Sequence, residues 1–170
     1  MRKVILNLAV SLDGYIEGPN GEFDWCFTDQ DYGMSDFMKR IDAVFLGRKS
    51  YELTRKMKNP YPHLATYVFS NTLKQVEKDV WVVKGDIEKE VTRMKKQNGK
   101  DMWLFGGANL LTSFLNAGLV DEMQLAVHPL VLGGGKLLFQ DIHGRIPLTL
   151  KDTKTYSTGL VQLFYEQNRQ

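Results

Sequence analysis

The stretch that most constrains the fold is residues 102–111, which read MWLFGGANLL. Its four large apolar residues predict a short strand buried on both faces. Two glycines follow, and an apolar-periodic run then predicts a helix. A strand that passes through glycine into a helix points unpaired backbone N–H groups and the positive end of the helix at one spot, where a nucleotide pyrophosphate is the usual occupant. The alternative is that Gly106 and Gly107 only make a tight turn, since the spacing is not that of the G-x-G-x-x-G fingerprint.

A second glycine has a similar setting. The apolar residues 43–46 predict a strand, and Gly47, Arg48, Lys49 and Ser50 follow at the start of a predicted helix. An arginine can hold a phosphate through two parallel N–H bonds, and a lysine adds a point charge. The sequence therefore predicts a second anion site here, with a solvated basic turn as the alternative.

Composition excludes several classes of protein. The 170 residues fit one domain, 1–170, with a single core, and the 43% hydrophobic fraction is ordinary for a globular protein. No apolar run reaches the ~20 residues that cross a bilayer, and the first residues lack a signal-peptide cleavage site, so we expect a cytoplasmic protein without a membrane partner. The net charge of +2 predicts no nucleic-acid partner. With Cys26 the one cysteine and three scattered histidines, we expect no disulfide and no metal site.

Strand and helix patterns alternate along most of the chain. Strands are predicted at 3–11, 43–46, 66–69, 80–83, 102–105 and 122–132, the last interrupted at 128–129. Helices are predicted from Asp29–Asp31 to about Ile41, after Gly47, over 86–98 and after Gly107, with a loop at 59–62. Residues 148–156 and 160–167 predict an antiparallel hairpin at the end of the chain. This order predicts an α/β sheet with helices on both faces.

The order of several short motifs resembles a known superfamily. They are LAV at 8–10, NGEFDW at 20–25, GRKSY at 47–51, VFSN at 68–71 and FGG at 105–107. Together they resemble the dihydrofolate reductase superfamily from end to end. The segments AVSLDG at 9–14, LVDE at 119–122 and PLVLGGG at 129–135 are more similar to the branch that holds the reductase domain of the riboflavin-biosynthesis deaminase-reductase.

The resemblance implies a three-layer αβα dihydrofolate reductase-like fold around a mixed, mostly parallel eight-stranded sheet, with NADPH as the cofactor and a homodimer as the assembly. By family analogy Gly106, Gly107, Ala108 and Asn109 hold the pyrophosphate. Gly47, Arg48, Lys49 and Ser50 take phosphate oxygens, Ser70 and Asn71 lie near the adenosine end, and Ala9 passes close to the nicotinamide. The superfamily also implies a cis peptide bond between Gly106 and Gly107.

The family resemblance identifies the substrate-binding residues less completely than the cofactor-binding residues. Asp13 and Trp25 are expected to bind substrate, and Asp31 is the candidate catalytic acid, with Asp29 as a rival and an N-capping role as the alternative for both. The arginine that clamps folate in true dihydrofolate reductases is missing from residues 62–65, and the Asp-Pro segment of the riboflavin reductases is missing from residues 55–60. We therefore expect an NADPH-dependent reductase of a small heterocycle that resembles the riboflavin-pathway pyrimidine reductase (5-amino-6-(5-phosphoribosylamino)uracil reductase). The alternatives are a dihydrofolate reductase and a non-catalytic nucleotide- or drug-binding protein.

Overall fold

A computed structural model describes residues 1–57 and 60–168. Within this part, strands and helices follow one another in the order β1 (Val4–Ser11), β2 (Tyr15–Glu17), α1 (Met34–Arg40), β3 (Ile41–Gly47), α2 (Arg48–Lys56), β4 (Ala65–Phe69), β5 (Val80–Val83), α3 (Ile87–Lys95), β6 (Asp101–Gly106), α4 (Ala108–Asn116), β7 (Glu122–His128), β8 (Lys136–Leu137), β9 (Leu148–Thr155) and β10 (Val161–Gln167). None of the described helices is long and apolar enough to cross a membrane.

One eight-stranded sheet organises the chain, in the order β5-β4-β3-β6-β1-β7-β10-β9. The first six strands of that order run parallel to one another. The last two, β10 and β9, pair antiparallel with each other, and β10 also pairs antiparallel with β7. The predicted fold class is confirmed: the sheet is mixed, mostly parallel, and ends in a C-terminal antiparallel hairpin.

Helices cover both faces of the sheet, as the alternation of elements predicts. On one face, Val91 and Met94 of α3 and Phe114 of α4 pack in a core cluster with Val4 and Leu6 of β1. On the other face, α1 and α2 contribute Phe37 and Tyr51 to a second cluster that contains Ile5 and Trp103. Successive side chains of β1 point to opposite faces, so the strand supplies both clusters, which is why nearly all its residues are apolar.

Three local predictions differ from the structure. Helix α1 begins at Met34 rather than near Asp29, because Gly33 adopts a left-handed φ of 78° that a continuing helix cannot contain. Strand β7 ends at His128 rather than continuing to residue 132, since Pro129 has no N–H to donate to a ladder. The short pair β2–β8 is not predicted at all. Of the loop predicted at residues 59–62, residue 59 lies outside the described residues.

The amino-terminal edge of the parallel strands carries a network of ion pairs. Arg40, at the end of α1, donates to both carboxylate oxygens of Glu122 on β7, at 2.7 and 2.8 Å, and to Asp101 on β6 at 2.9 Å. Lys3 adds a third bond to Glu122 at 2.6 Å. Burial alone would raise the pKa of Glu122, but these bonds outweigh it and lower that pKa. The network fixes α1 against the sheet at the edge opposite the candidate site.

Candidate functional site at the carboxyl edge of the sheet

The predicted binding residues gather at the edge where the parallel strands end. Because β1, β3, β4, β6 and β7 are parallel, their last residues, Ser11, Gly47, Phe69, Gly106 and His128, lie at the same edge of the sheet. In open α/β sheets, ligands bind in the crevice outside these carboxyl ends. The fold therefore brings together segments that are far apart in the sequence.

Gly47 and Gly107 let the ends of β3 and β6 come close together. A Cβ placed on Gly107 would lie 3.3 Å from the Cα of Gly47 and 3.5 Å from Ser50 Oγ. Gly107 also has a φ of 104°, a conformation that side chains with a Cβ rarely adopt. These two glycines precede α2 and α4, so the N-termini of both helices lie side by side.

The two helix ends are built to accept an anion. Neither α2 nor α4 has a side-chain cap or an acidic residue in its first turn, and α2 instead begins with Arg48 and Lys49. Helix α3 shows the usual pattern: Asp86 caps it through the Lys89 N–H, and glutamates follow in its first turn. First-turn N–H groups and the positive end of the dipole attract negative charge. Adjacent uncapped N-termini of α2 and α4 therefore form a positive spot at the crevice.

The peptide bond between Gly106 and Gly107 is trans, as are the other peptide bonds of the described residues. The expectation of a cis bond is wrong for this structure. A trans bond is the ordinary state of a non-proline peptide, favoured by about 3 kcal/mol. The positive φ angles of both glycines, 149° and 104°, turn the chain from β6 into α4 without a cis bond.

Arg48 bridges two elements beside this spot. Its Nε donates to Glu52 Oε1, one turn later on α2, at 2.8 Å, and its Nη1 donates to Thr72 Oγ1 at 3.0 Å. Thr72 belongs to the turn that follows β4, next to Ser70. The guanidinium is thus held over the gap between α2 and that turn, while Lys49 is exposed to solvent.

Ser70 and Asn71 shape the loops at the same edge. Ser70 Oγ accepts hydrogen bonds from the backbone N–H groups of Thr72 and Leu73, at 3.3 and 3.1 Å. Asn71 Oδ1 accepts from the N–H of Gly85, beyond the end of β5, at 3.0 Å. Both predicted adenosine-side residues lie at the crevice, and both hydrogen-bond to neighbouring backbone.

Asp13 joins the turn after β1 to the glycine-rich loop after β7. Its carboxylate accepts from Ser11 Oγ at 2.7 Å and from the backbone N–H groups of Leu132 and Gly133, at 3.0 and 2.8 Å. The bond from Ser11, with those from Gly133 and Leu132, lowers the pKa of Asp13 to about 2. The carboxylate predicted to bind substrate thus makes three hydrogen bonds that hold two loops together.

His128 holds an aromatic loop over the end of β7. Its Nε2 accepts from the Phe27 N–H at 3.1 Å, so Nδ1 carries the proton and donates to the Ala126 carbonyl at 2.9 Å. Trp25, a predicted substrate residue, packs edge-on against the imidazole with ring centroids 5.3 Å apart. Burial lowers the pKa of His128, and the Ala126 bond offsets this only in part. The histidine is therefore neutral and fixes residues 25–27 at the crevice.

Asp31 hydrogen-bonds to the backbone of α1 rather than to the groups described above. Its side chain is exposed, and its carboxylate accepts from the Ser35 N–H in the first turn of α1 at 2.9 Å. Asp29 accepts from the hydroxyl of Tyr32 at 2.7 Å. This bond joins Asp31 to the first turn of α1, but the N-cap position itself is Gly33, which has no side-chain cap, so both roles of Asp31 stay predictions.

Ala9, the predicted nicotinamide neighbour, lies on the sheet face of α1 and α2. It pairs with Ala126 of β7, and both alanines are half-exposed although their strands are central in the sheet. The next strand presents aromatic rings, with Trp103 and Phe105 at 4.9 Å between centroids. A small apolar floor formed by Ala9 and Ala126, with the half-buried Phe105 on the neighbouring strand, thus lies near the carboxyl edge.

Sequence reasoning missed several residues of the crevice. Thr72 and Glu52, which hold Arg48, give no motif signal. His128 is read from sequence only as a scattered histidine, and its position directly before a proline at a strand end was the available clue. No cluster of metal-ligating side chains occurs in the described parts of the chain.

Comparison with known proteins places this geometry in a family. A family model described as the RibD C-terminal domain matches residues 2–162. The uncharacterized protein YyaP of Bacillus subtilis (strain 168) is 46% identical to this chain, covering 98% of it and 96% of its own length. A Shewanella sp. PV-4 structure, described as that of a riboflavin biosynthesis protein, has a TM-score of 0.87 at 26% identity and covers 98% of this chain and 99% of its own.

The same fold occurs in a more distant solved structure. The dihydrofolate reductase of Enterococcus faecalis, complexed with NADP(H), has a TM-score of 0.73 at 18% identity and covers 98% of this chain and 97% of its own. At that identity the likeness shows the fold alone.

Proposed function

The chain belongs to the RibD C-terminal domain family, and from that premise we propose that it is an NADPH-dependent reductase of a small heterocyclic substrate. The observation that carries the proposal is the pair of adjacent, uncapped N-termini of α2 and α4 beside Arg48. An enzyme that binds a dinucleotide needs such a positive spot for the pyrophosphate.

The cofactor residues divide by position. Gly107, Ala108 and Asn109 at the start of α4 would hold the pyrophosphate, with Gly47 and Ser50 facing them from α2. Arg48 and Lys49 would hold a further phosphate, such as the one that distinguishes NADPH from NADH, with Ser70 and Asn71 nearby. The carboxylate of Glu52 binds Arg48 Nε at 2.8 Å, and residues 47–50 and 70–71 contain no carboxylate for a free ribose hydroxyl, as an NADH site prefers.

The nicotinamide would lie over Ala9, where the sheet face is open. The cofactor supplies the hydride when bound, and the protein supplies orientation and exclusion of water. The loop held by His128 and the rings of β6 border this region, so their part in the reaction is to position the two rings and keep water away.

A riboflavin-type pyrimidine is the favoured substrate class. Family membership supports it, as does the Shewanella structure described as a riboflavin biosynthesis protein. A pterin is less well supported, because the Asp31 side chain is exposed and its carboxylate accepts from the Ser35 N–H of α1.

Anaerobic mixing with NADPH and a panel of heterocycles tests the proposal. We expect loss of nicotinamide absorbance with one substrate class, pyrimidines before pterins. A protein that binds NADPH but oxidises it with no heterocycle would be a binding protein on the same scaffold. The Asp31→Asn variant belongs in the same assay: a general acid contributes on the order of 100-fold to turnover, whereas a helix cap leaves turnover nearly unchanged.

The family resemblance also implies a homodimer, which stays a prediction. Sedimentation equilibrium tests it directly: the mass expected for a dimer is twice the 19.5 kDa of the chain. A monomer at all accessible concentrations would contradict it.

A further inference from the structure

Two amide side chains lie beside the alanine floor, on the same sheet face. The register of β1 against β7 pairs Asn7 with Gln124 directly next to the pair Ala9–Ala126. Since side chains alternate along a strand, all four project toward the face of α1 and α2. All four are half-buried, so α1 and α2 leave this part of the sheet open.

Larger groups border the floor on its remaining sides. At the carboxyl edge lies His128 with its aromatic loop. On the β10 side, Gln162 donates to the Tyr32 carbonyl at 2.7 Å and accepts from the Tyr156 hydroxyl at 2.9 Å. On the β6 side lies Phe105. The floor between these groups is formed by the methyl groups of Ala9 and Ala126, and Phe164 of β10 pairs with Gln124 on the same face.

The two amides have hydrogen-bonding capacity to spare. Asn7 Nδ2 lies 3.4 Å from Gln124 Oε1, at the long end of the hydrogen-bond range. Among the described residues, the one buried side-chain polar atom without a partner is Gln167 Oε1, so the remaining polar atoms of both amides are reachable from solvent. Gln162, in contrast, makes one hydrogen bond through each end of its amide, to the Tyr32 carbonyl and from the Tyr156 hydroxyl. The strand beneath Asn7 is fixed, because Trp103 Nε1 donates to the Asn7 carbonyl at 2.9 Å.

Three carboxylates near the floor are engaged elsewhere, while Lys154 Nζ lies on the same face, 5.5 Å from the ring centre of Phe164, the residue that pairs with Gln124. On the same face, Glu122 binds Arg40 through both oxygens. Asp13 binds the Leu132–Gly133 backbone, and Asp31 binds the Ser35 N–H. None of these three carboxylates is free to pair with a cationic ring beside Asn7 and Gln124, whereas a neutral ring edge with a donor and an acceptor side by side would match the two amides.

We propose that Asn7 and Gln124 are the specificity-determining residues of this enzyme, which read a neutral ring edge carrying an adjacent carbonyl and N–H. The proposal rests on the proposed function for the identity of the ring as substrate. Asn7 and Gln124 each offer an amide that can donate to the ring carbonyl or accept from its N–H. A site built in this way rejects rings that lack the matching groups, because its own polar groups would be left unpaired.

Near-isosteric apolar variants test the assignment. Affinity for uracil and for a diaminopyrimidine is measured by calorimetry on wild type, Asn7→Leu and Gln124→Met, with NADPH affinity measured separately. We expect wild type to prefer uracil, and each variant to lose roughly 10-fold in uracil affinity while NADPH affinity stays within about twofold. The matched control is Gln97→Met, an exposed glutamine beyond α3. Thermal melts show that each variant is folded.

A variant that adds a negative charge at position 7 should reverse the preference between the two ring types. Asn7→Asp supplies a counter-charge, so it should gain affinity for the protonated diaminopyrimidine and lose affinity for uracil. Unchanged uracil affinity in folded Asn7→Leu and Gln124→Met, or no uracil binding by wild type, overturns the proposal even if NADPH binds normally. If NADPH fails to bind but uracil affinity still depends on both amides, the proposed function falls and the recognition pair stands.

Discussion

At the scale of single residues, Gly107 decides how closely α2 and α4 approach. With its φ of 104°, and with a placed Cβ 3.3 Å from Gly47 Cα, a side chain at this position would strain the backbone and crowd Gly47. The sequence identifies this glycine as a turn or an anion site, but not the close approach to Gly47, which depends on the pairing of β3 with β6.

The Gly107→Ala variant should therefore lose both stability and cofactor affinity. A strained backbone costs on the order of 1–3 kcal/mol, so we expect a lower melting temperature and weaker NADPH binding. The control is Gly144→Ala, because Gly144 is exposed, has open space around its Cα and has no left-handed φ. Equal melting curves for the two variants would contradict the close approach.

His128 makes stability depend on pH. Burial holds the pKa of the folded imidazole below its usual 6.5, while the unfolded chain keeps the usual value. The unfolded state then binds more protons below about pH 6.5, so stability is complete above that pH and declines as the pH falls through it. Protonation would also place a donor at Nε2 opposite the Phe27 N–H.

Melting temperatures between about pH 8 and pH 5 check this expectation. The wild type should lose stability toward pH 5, and His128→Gln, although less stable overall, should lose less over the same interval. Parallel curves for the two proteins would show that His128 does not titrate in this way.

At the scale of elements, the helices differ in how their N-termini are capped. Helix α3 has its cap and first-turn acids, whereas α2 and α4 lack both. A sequence scan for start signals identifies α3 readily and places α2 and α4 only through their glycines. The two helices without these start signals, α2 and α4, are the ones whose N-termini face the crevice.

Adding an acidic residue to the first turn of α4 should raise stability and weaken the proposed cofactor binding. Asn109→Asp places a carboxylate in the exposed first turn, where it should raise stability by about 0.3–1 kcal/mol and weaken NADPH binding at least several-fold by repelling the pyrophosphate. Glu88→Gln, in the first turn of α3, is the control: stability should fall slightly and NADPH affinity should not change. Tighter NADPH binding by Asn109→Asp would rule out an anion at this helix end.

Strand prediction succeeds where burial dictates composition. Burial makes β1, β3 and β6 mostly apolar, and the hairpin of β9 and β10 has a clear turn at Ser157–Gly159. The pair β2–β8 is not predicted, because strands of two or three residues are too short to show an alternating pattern of apolar residues. Helix α1 starts late because a left-handed glycine, not an aspartate, sets its beginning.

At the scale of the whole molecule, the sheet has a structural edge and a binding edge. The ion-pair network of Arg40, Lys3, Asp101 and Glu122 ties strands and helix together at one edge, and the glycine turns, Arg48 and the aromatic loop lie at the other. Sequence could place Gly47 and Gly107 at strand-to-helix turns, where the structure has them at the same edge of the sheet. It could not pair Asn7 with Gln124, because that juxtaposition needs the parallel register of two strands more than a hundred residues apart.

Disrupting the structural edge should change stability without changing binding. Glu122→Gln removes the charge that both Arg40 and Lys3 bind, and we expect a loss of about 1–3 kcal/mol with unchanged NADPH affinity. Asp36→Asn, which breaks the exposed pair with Lys39, should leave the free energy of unfolding nearly unchanged, because solvent screens exposed pairs. Urea denaturation gives both values, and a large drop in NADPH affinity with Glu122→Gln would contradict the separation of the edges.

An NADPH titration of wild type and Arg48→Ala, followed by tryptophan fluorescence, tests the central claim most directly. Hydrogen bonds to a charged group contribute about 1.5–3 kcal/mol, so losing Arg48 should weaken NADPH binding by roughly 10- to 100-fold. NADH affinity should fall much less if Arg48 reads the extra phosphate. Arg55→Ala, which removes an exposed arginine near the far end of α2, should leave both affinities unchanged. A wild-type protein that binds neither nucleotide at millimolar concentration would contradict the reductase account.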